Sequence, residues 1–239
     1  MKLSIVIPFY NEEKTLRASV ESVLGIKSDR VDLEVVMVDD CSSDNSRNVA
    51  EEIVASHTDV KLLTHPVNRG KGAALRTGFG AVTGDFVGVQ DADEEYDPRD
   101  YLKLLRVADE LHADVVYGSR YLRDSERQVL RFWHSSMNRL LTVFSNVFSD
   151  LELTDMETCY KLFRREVIAE IAPNLVEDRF GFEPEITARL ARAIRQHGWR
   201  MAECAIRYRP RTFKEGKKIG WKDGFRAIWC IVKYNLLQK

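Results

Sequence analysis

Cysteine is scarce in this chain, and its four copies, Cys41, Cys159, Cys204 and Cys230, form no C-x-x-C pair. That excludes a disulfide framework or a cysteine-rich zinc site as the organising device and suits a reducing compartment. No run approaches the roughly 18 apolar residues of a membrane-spanning helix. No charged-then-apolar leader is present, because residues 1–8 already read as a strand. Net charge is nearly absent too: 36 Lys and Arg face 37 Asp and Glu, which argues against a nucleic-acid partner. Low-complexity linkers and internal repeats are missing. The expectation is a cytoplasmic protein, dissolved or attached peripherally to the cytosolic face of a membrane.

Apolar residues make up 44% of the chain and aromatics 10%, ample material for a buried core. Residues 2–8, KLSIVIP, form a β-rich run closed by proline. Leu16, Val20, Val23 and Leu24 then recur with helical spacing over 12–25, stopping at Gly25. Further strands are predicted at 33–38, 60–63, 86–90 and 114–118. Helices are predicted between them at 46–56, 70–82 and 98–111, the first capped by Ser43 or Asp44. Strands alternating with helices indicate an α/β fold with a doubly wound, mainly parallel, Rossmann-like sheet. Such sheets bind ligands beyond the carboxyl ends of their strands. Here those ends are 8–12, 39–44, 90–95 and 118–120, where polar side chains gather.

The second half loses this rhythm. Helical stretches at 127–148 and 221–237 are rich in large residues, among them Phe132, Trp133, Trp221, Phe225 and Trp229. Residues 200–239 carry eleven Lys or Arg against three Asp or Glu, leaving 25 basic and 34 acidic residues in 1–199. Aromatic and basic side chains on amphipathic helices suit a membrane surface, and a basic tail suits an anionic partner. The predicted division is a catalytic domain over 1–220 and a C-terminal amphipathic helix over 221–239, either a peripheral membrane contact or a packing element.

Asp91-Ala92-Asp93 closes a predicted strand. Two carboxylates one residue apart on such a turn can face one cation, and Mg²⁺ or Mn²⁺ takes oxygen ligands and bridges a diphosphate. There it would offset charge on a departing nucleoside diphosphate. Gly70-Lys71-Gly72 opens a helix and reads either as a phosphate cradle or as a turn needing positive φ.

Five segments stand in order: SIVIPFYNEE at 4–13, VDDCSSD at 38–44, NRGKGAA at 68–74, QDAD at 90–93 and GSR at 118–120. Together they resemble the core of glycosyltransferase family 2, which has the GT-A fold. DMETCYKLF at 155–163, GFEPE at 181–185 and Arg211 followed by Lys217 extend the resemblance. It is greatest to dolichol-phosphate mannose synthases, dolichyl-phosphate β-glucosyltransferases and their bacterial polyprenyl-phosphate relatives, and it covers roughly residues 2–220.

The resemblance implies an inverting enzyme that moves a hexose from a UDP- or GDP-sugar to a polyprenyl phosphate with Mg²⁺ or Mn²⁺. It assigns Pro8, Tyr10, Glu12, Val38 and Asp40 to the nucleotide, with Asp40 bonding a base N–H and Tyr10 packing on the base. Asp91, Asp93 and Glu95 would hold the metal, and Ala92 would offer a backbone contact. Asp93, Arg120, Arg211 and Lys217 would serve the reaction, the last three on phosphates, where arginine's fork suits bidentate contact. Three positions depart from the family pattern: Glu95 where Gln is frequent, Cys159-Tyr160 in place of Gly-Phe, and Lys217 or Lys218 in the final motif.

A phosphate acceptor is already anionic and needs no strong base. A hydroxyl acceptor, soluble or polymeric, needs one, and Glu183 and Glu185 are the candidates. The chain lacks the Q-x-x-R-W signature of processive synthases and the G-x-G-x-R entry of sugar nucleotidyltransferases. An inactive nucleotide-sugar-binding module is opposed by the intact Asp91/Asp93 pair.

Overall fold

A computed structural model describes residues 1–122, 128–210 and 221–237, with side chains from 224 onward in the last stretch. The N-terminal run forms β1 (Lys2–Phe9), buried from Leu3 onward, and β2 (Asp32–Asp39) is buried from Leu33. Such continuous burial is what parallel strands covered on both faces require. The two pair in parallel, Lys2 opposite Asp32 and Phe9 opposite Asp39. With β3 (Val60–Thr64), β4 (Phe86–Val89), β5 (Val115–Ser119), β6 (Lys161–Arg164) and β7 (Met201–Ala205) they make a seven-stranded sheet ordered β3-β2-β1-β4-β6-β5-β7. The α/β class and mainly parallel sheet are as expected.

β6 is the element the sequence pattern does not announce. It is four residues long and runs antiparallel between β4 and β5. An antiparallel strand starts where its parallel neighbours end. The loop before β6 therefore lies at the carboxyl edge, beside the ends of β4 and β5.

α1 (Leu16–Leu24), α2 (Ser46–Ser56), α3 (Lys71–Phe79) and α4 (Asp100–Glu110) follow the first four strands. α1 starts later than its predicted 12, because the Glu12 carbonyl accepts the Thr15 and Leu16 N–H groups (3.1 and 2.9 Å) in a turn. Asp44 Oδ1 accepts the Ser46 N–H at 3.0 Å at the start of α2. α5 (Phe132–Ser149) begins after an extended Arg131, not at 127. α6 (Arg165–Ile171), α7 (Phe182–His197) and α8 (Trp221–Val232) complete the helices, and α8 ends in a π-helical turn, Lys233–Leu237.

α8 packs on α5 and α7. Leu141, Thr142 and Ser145 of α5 and Ala227, Cys230 and Ile231 of α8 are buried. The opposite faces are not: Phe132 is 71% exposed, Trp133 82%, Val147 72% and Phe225 66%. Among the described residues no helix is long and apolar enough to cross a membrane.

Candidate active site

The ends of β1, β2 and β4 meet at the carboxyl edge. Asn11, in the left-handed region at φ 55°, accepts the Ser43 N–H on its Oδ1 (2.8 Å) and donates its own N–H to Ser42 Oγ (3.1 Å). Glu12 N–H donates to Ser46 Oγ at 2.8 Å. These bonds stitch the loop after β1 to the loop after β2. Tyr10 is 38% exposed at this edge, and Glu12 Oε2 accepts the Thr15 hydroxyl at 3.1 Å. Pro8 and Val38, expected at the nucleotide, are buried register partners on adjacent strands. Their side chains belong to the core.

Asp40 is 3% exposed. Its Oδ1 accepts from His65 Nδ1 (2.8 Å) and the Arg69 N–H (2.9 Å), and its Oδ2 from the Gly70 N–H (2.7 Å). The carboxylate expected to meet a base N–H is thus committed to the 65–70 segment.

The Gly70-Lys71-Gly72 turn has two causes. Gly70 stands at φ 102°, and a Cβ there would lie 2.3 Å from Asp178 O; a Cβ on Gly72 would lie 2.2 Å from Glu177 O. The Gly72 N–H donates to Asp178 O at 2.8 Å. The φ of Gly70 bears out the turn reading, and the Gly70 and Gly72 N–H groups are both taken by the protein.

That turn delivers Lys71. Its Nζ lies 2.7 Å from Asp91 Oδ1 and 4.0 Å from Glu183 Oε1. Glu183 also pairs with the buried Lys161, whose ammonium donates to Thr158 O and sits 4.7 Å from the centre of the Tyr117 ring. Burial alone would lower the Lys71 ammonium, but Asp91, then Cys159 and Glu183, outweigh it and hold it well above the ordinary lysine value. Burial and then Asp91 push the Cys159 thiol up, so it is no thiolate nucleophile.

Ala92 is buried, and Asp93 Oδ1 accepts the Glu95 N–H at 3.2 Å across a turn with Glu94 at φ 57°. Glu95 Oε2 accepts the Tyr208 hydroxyl at 2.9 Å. Among the described residues no three acidic, His or Cys side chains gather as a metal-holding group. Of the expected Asp91, Asp93 and Glu95, the first carboxylate is engaged by Lys71 and the third by Tyr208.

Arg120, expected on a phosphate, is 8% exposed. Its Nε and Nη2 each donate to Asp155 at 2.7 Å, so the fork is already closed on an internal carboxylate. Its guanidinium stands 5.2 Å from the centre of the Tyr208 ring. Arg120 also lines a cavity of about 610 Å³ with Glu95, Tyr96, Arg99, Tyr208 and Arg209. Asp91 and Asp93 do not line it, so this cavity neighbours the carboxylate cluster rather than containing it. The cluster at the strand ends is the candidate site. Arg211 and Lys217 lie outside the described residues.

Of the two candidate bases, Glu185 is fully buried and structural. Its oxygens accept the Val176 and Glu177 N–H groups at 2.7–3.0 Å and pair with Arg189 at 2.8 Å. Glu183 is tied to Lys161. Sequence reasoning missed Glu157, whose Oε1 is buried without a hydrogen-bond partner. The signal was an acid inside the 155–163 motif, but its surroundings depend on the unannounced β6.

A mainly parallel sheet with an acidic turn after its central strand β4 is the frame that holds these groups. The family model described as glycosyl transferase family 2 matches residues 4–172, and the chain belongs to that family. It is 31% identical to a dolichyl-phosphate beta-glucosyltransferase of Trichomonas vaginalis over 217 residues, 86% of this chain and 65% of that protein. It is 29% identical to an uncharacterized glycosyltransferase of Nostoc over 182 residues, 72% of this chain and 54% of that protein. The chain thus spans 54–65% of the length of these curated relatives. In structure it is similar to glucosyl-3-phosphoglycerate synthase of Mycobacterium tuberculosis, solved with Mn²⁺, UDP and phosphoglyceric acid. The TM-score is 0.68 at 19% identity, covering 98% of this chain and 78% of that one. Staphylococcus aureus TarS with UDP-GlcNAc gives 0.65 at 18% identity, over 98% and 66% of the respective chains.

Proposed function

We propose that this glycosyltransferase moves a hexose, with inversion, from a UDP- or GDP-sugar to a polyprenyl phosphate at a membrane surface. The observation that carries the lipid acceptor is the exposed apolar face of α5 and α8, where Trp133 is 82% and Trp229 52% exposed. Similarity to a protein named as a dolichyl-phosphate glucosyltransferase supports the same acceptor. Tyr10, Glu12 and the Asp40-anchored 65–70 segment surround the place for the nucleotide. Arg211 and Lys217 are proposed for phosphates.

The residues present fit a divalent cation through Asp91 and Asp93, two oxygen-bearing side chains at one strand end, and not through Glu95, which Tyr208 holds. A hard cation accepts such donors and completes its shell from phosphate oxygens. Held by Asp91 and Asp93, Mg²⁺ or Mn²⁺ would supply Lewis-acid neutralisation of the leaving diphosphate. Lys71 contributes a second positive charge against Asp91, and their 2.7 Å ion pair keeps both groups oriented for charge development. The test supplies UDP- and GDP-hexoses with a short-chain polyprenyl phosphate and reads product mass. A glycosyl-phosphoryl-lipid product is expected; transfer only to soluble hydroxyl acceptors would exclude the lipid role.

A further inference from the structure

Four carboxyls and three cations share the wall formed by the ends of β4 and β5, the loop before β6, and the start of α7. Asp91 has Lys71, Glu183 has Lys161 and Asp155 has Arg120. Glu157, two residues beyond Asp155, has none. Among the described residues no hydrogen bond or ion pair reaches it, and its Oε1 is sealed from solvent without a partner. A buried polar atom left unpaired is costly, and a buried unpaired charge more so. A carboxyl with one oxygen sealed and unpartnered therefore calls for a proton, and the side chain as a whole is partly exposed, which leaves its other oxygen open to a ligand.

The charged groups facing it are Glu183 from α7, Lys161 from β6, Arg120 after β5 and Asp155 from its own loop. Burial first, then the Glu183 charge, push the Glu157 carboxyl up to about 7 against the pull of Lys161 and Arg120. Each neighbouring cation is already claimed by another carboxylate. An incoming phosphate would be repelled by an ionised Glu157 and bonded by a protonated one.

We propose that Glu157 is a specificity residue of the acceptor subsite which, as a neutral acid, donates a hydrogen bond to an oxygen of the acceptor's phosphate. This rests on the lipid-phosphate function above. It adds a pH limit: acceptor binding weakens as Glu157 loses its proton, while the donor side is unaffected. Glutamine at this position keeps an N–H donor and cannot ionise.

The experiment measures acceptor KM and kcat with a short-chain polyprenyl monophosphate and saturating donor from about pH 6 to about pH 9, for the wild-type protein and Glu157→Gln. With one proton linked to binding, wild-type KM should rise about tenfold per pH unit above neutrality. The Glu157→Gln KM should follow only the acceptor's own ionisation, with kcat within about threefold of wild type. Coincident KM profiles overturn the proposal. So does loss of turnover in Glu157→Gln together with a wild-type kcat that climbs with pH, the signature of a general base acting on a hydroxyl. A calorimetric arm keeps the two hypotheses apart where no lipid product forms. Binding of the same lipid phosphate at pH about 8 should take up more proton in wild type than in Glu157→Gln. Equal uptake, or no binding by either protein, overturns the role of Glu157, whereas product formation with equal uptake overturns it and leaves the lipid transferase standing.

Discussion

At the residue scale, Asp93 and Asp40 are both acids at strand ends, yet their removal should differ in kind. Asp93 sits half-buried on a turn, so Asp93→Ala creates no core cavity and should change stability by no more than about 0.5 kcal/mol. Turnover should vanish, and excess EDTA should mimic the loss in the wild type. A transfer assay paired with thermal melts checks this, and full activity in EDTA would remove the metal from the account. Asp40→Ala strands His65 and two backbone N–H groups in a buried place, at a cost on the order of 3 kcal/mol. Nucleotide affinity should fall with it, because the 65–70 segment loses its anchor. Urea unfolding and calorimetry read the two effects; an unchanged unfolding midpoint would show that Asp40 is not the anchor the geometry makes it.

At the scale of elements, Gly72 and Glu177 test how the 177–178 backbone supports the site. Gly72→Ala must displace Glu177 O, which would lie 2.2 Å from the new Cβ, or tilt α3. A lower melting temperature and impaired turnover are expected together, since Lys71 moves with the turn; a variant as stable and active as wild type would show that the approach is not needed. Glu177 accepts from Arg226 (2.6 Å) and Tyr234 (2.7 Å) and pairs with Lys233 at 3.3 Å. Burial alone would raise it, but those partners bring it from 4.5 down to about 2. A depressed carboxyl stabilises the fold above its unfolded value and loses that contribution as pH falls through the folded one. Attachment of α8 should therefore weaken between about pH 4.5 and about pH 2, seen as a Trp fluorescence change, and Glu177→Gln should flatten that titration. Strands and helices of the first half were legible because one pattern sufficed: continuous apolar runs for doubly covered strands, 3.6-residue spacing for helices. β6 was not, since four residues with two apolar side chains carry no period. Glu157 was hidden for the same reason, as its lack of a partner is a tertiary fact. The burial of Pro8 and Val38 was not legible either, because a motif marks a position in the chain and does not say which way its side chain points.

At the scale of the whole molecule, α5 and α8 pack on each other and each exposes large apolar side chains, and no described helix is long and apolar enough to span a membrane. Near an anionic bilayer each Lys or Arg contributes on the order of 1 kcal/mol, and inserted aromatics add to it. The protein should co-float with anionic liposomes and leave them partly in high salt, since screening acts on the charges and not on the buried rings. A Trp133→Glu/Trp229→Glu variant should float poorly while still binding the nucleotide. No flotation at low salt would turn that surface into a contact with protein.

The 177–178 stretch links these scales. On one side it bears the ion pair from Arg226 of α8; on the other it lies against Gly70 and Gly72 and accepts two N–H···O bonds from Arg76 and Gly72. In mechanical terms, the surface helix and the lysine turn hang from a single bracket. If α8 docks on a bilayer as proposed, a pull on Trp229 would reach, through that bracket, the turn that seats Lys71 against Asp91, and docking and the geometry of that ion pair would share one load path.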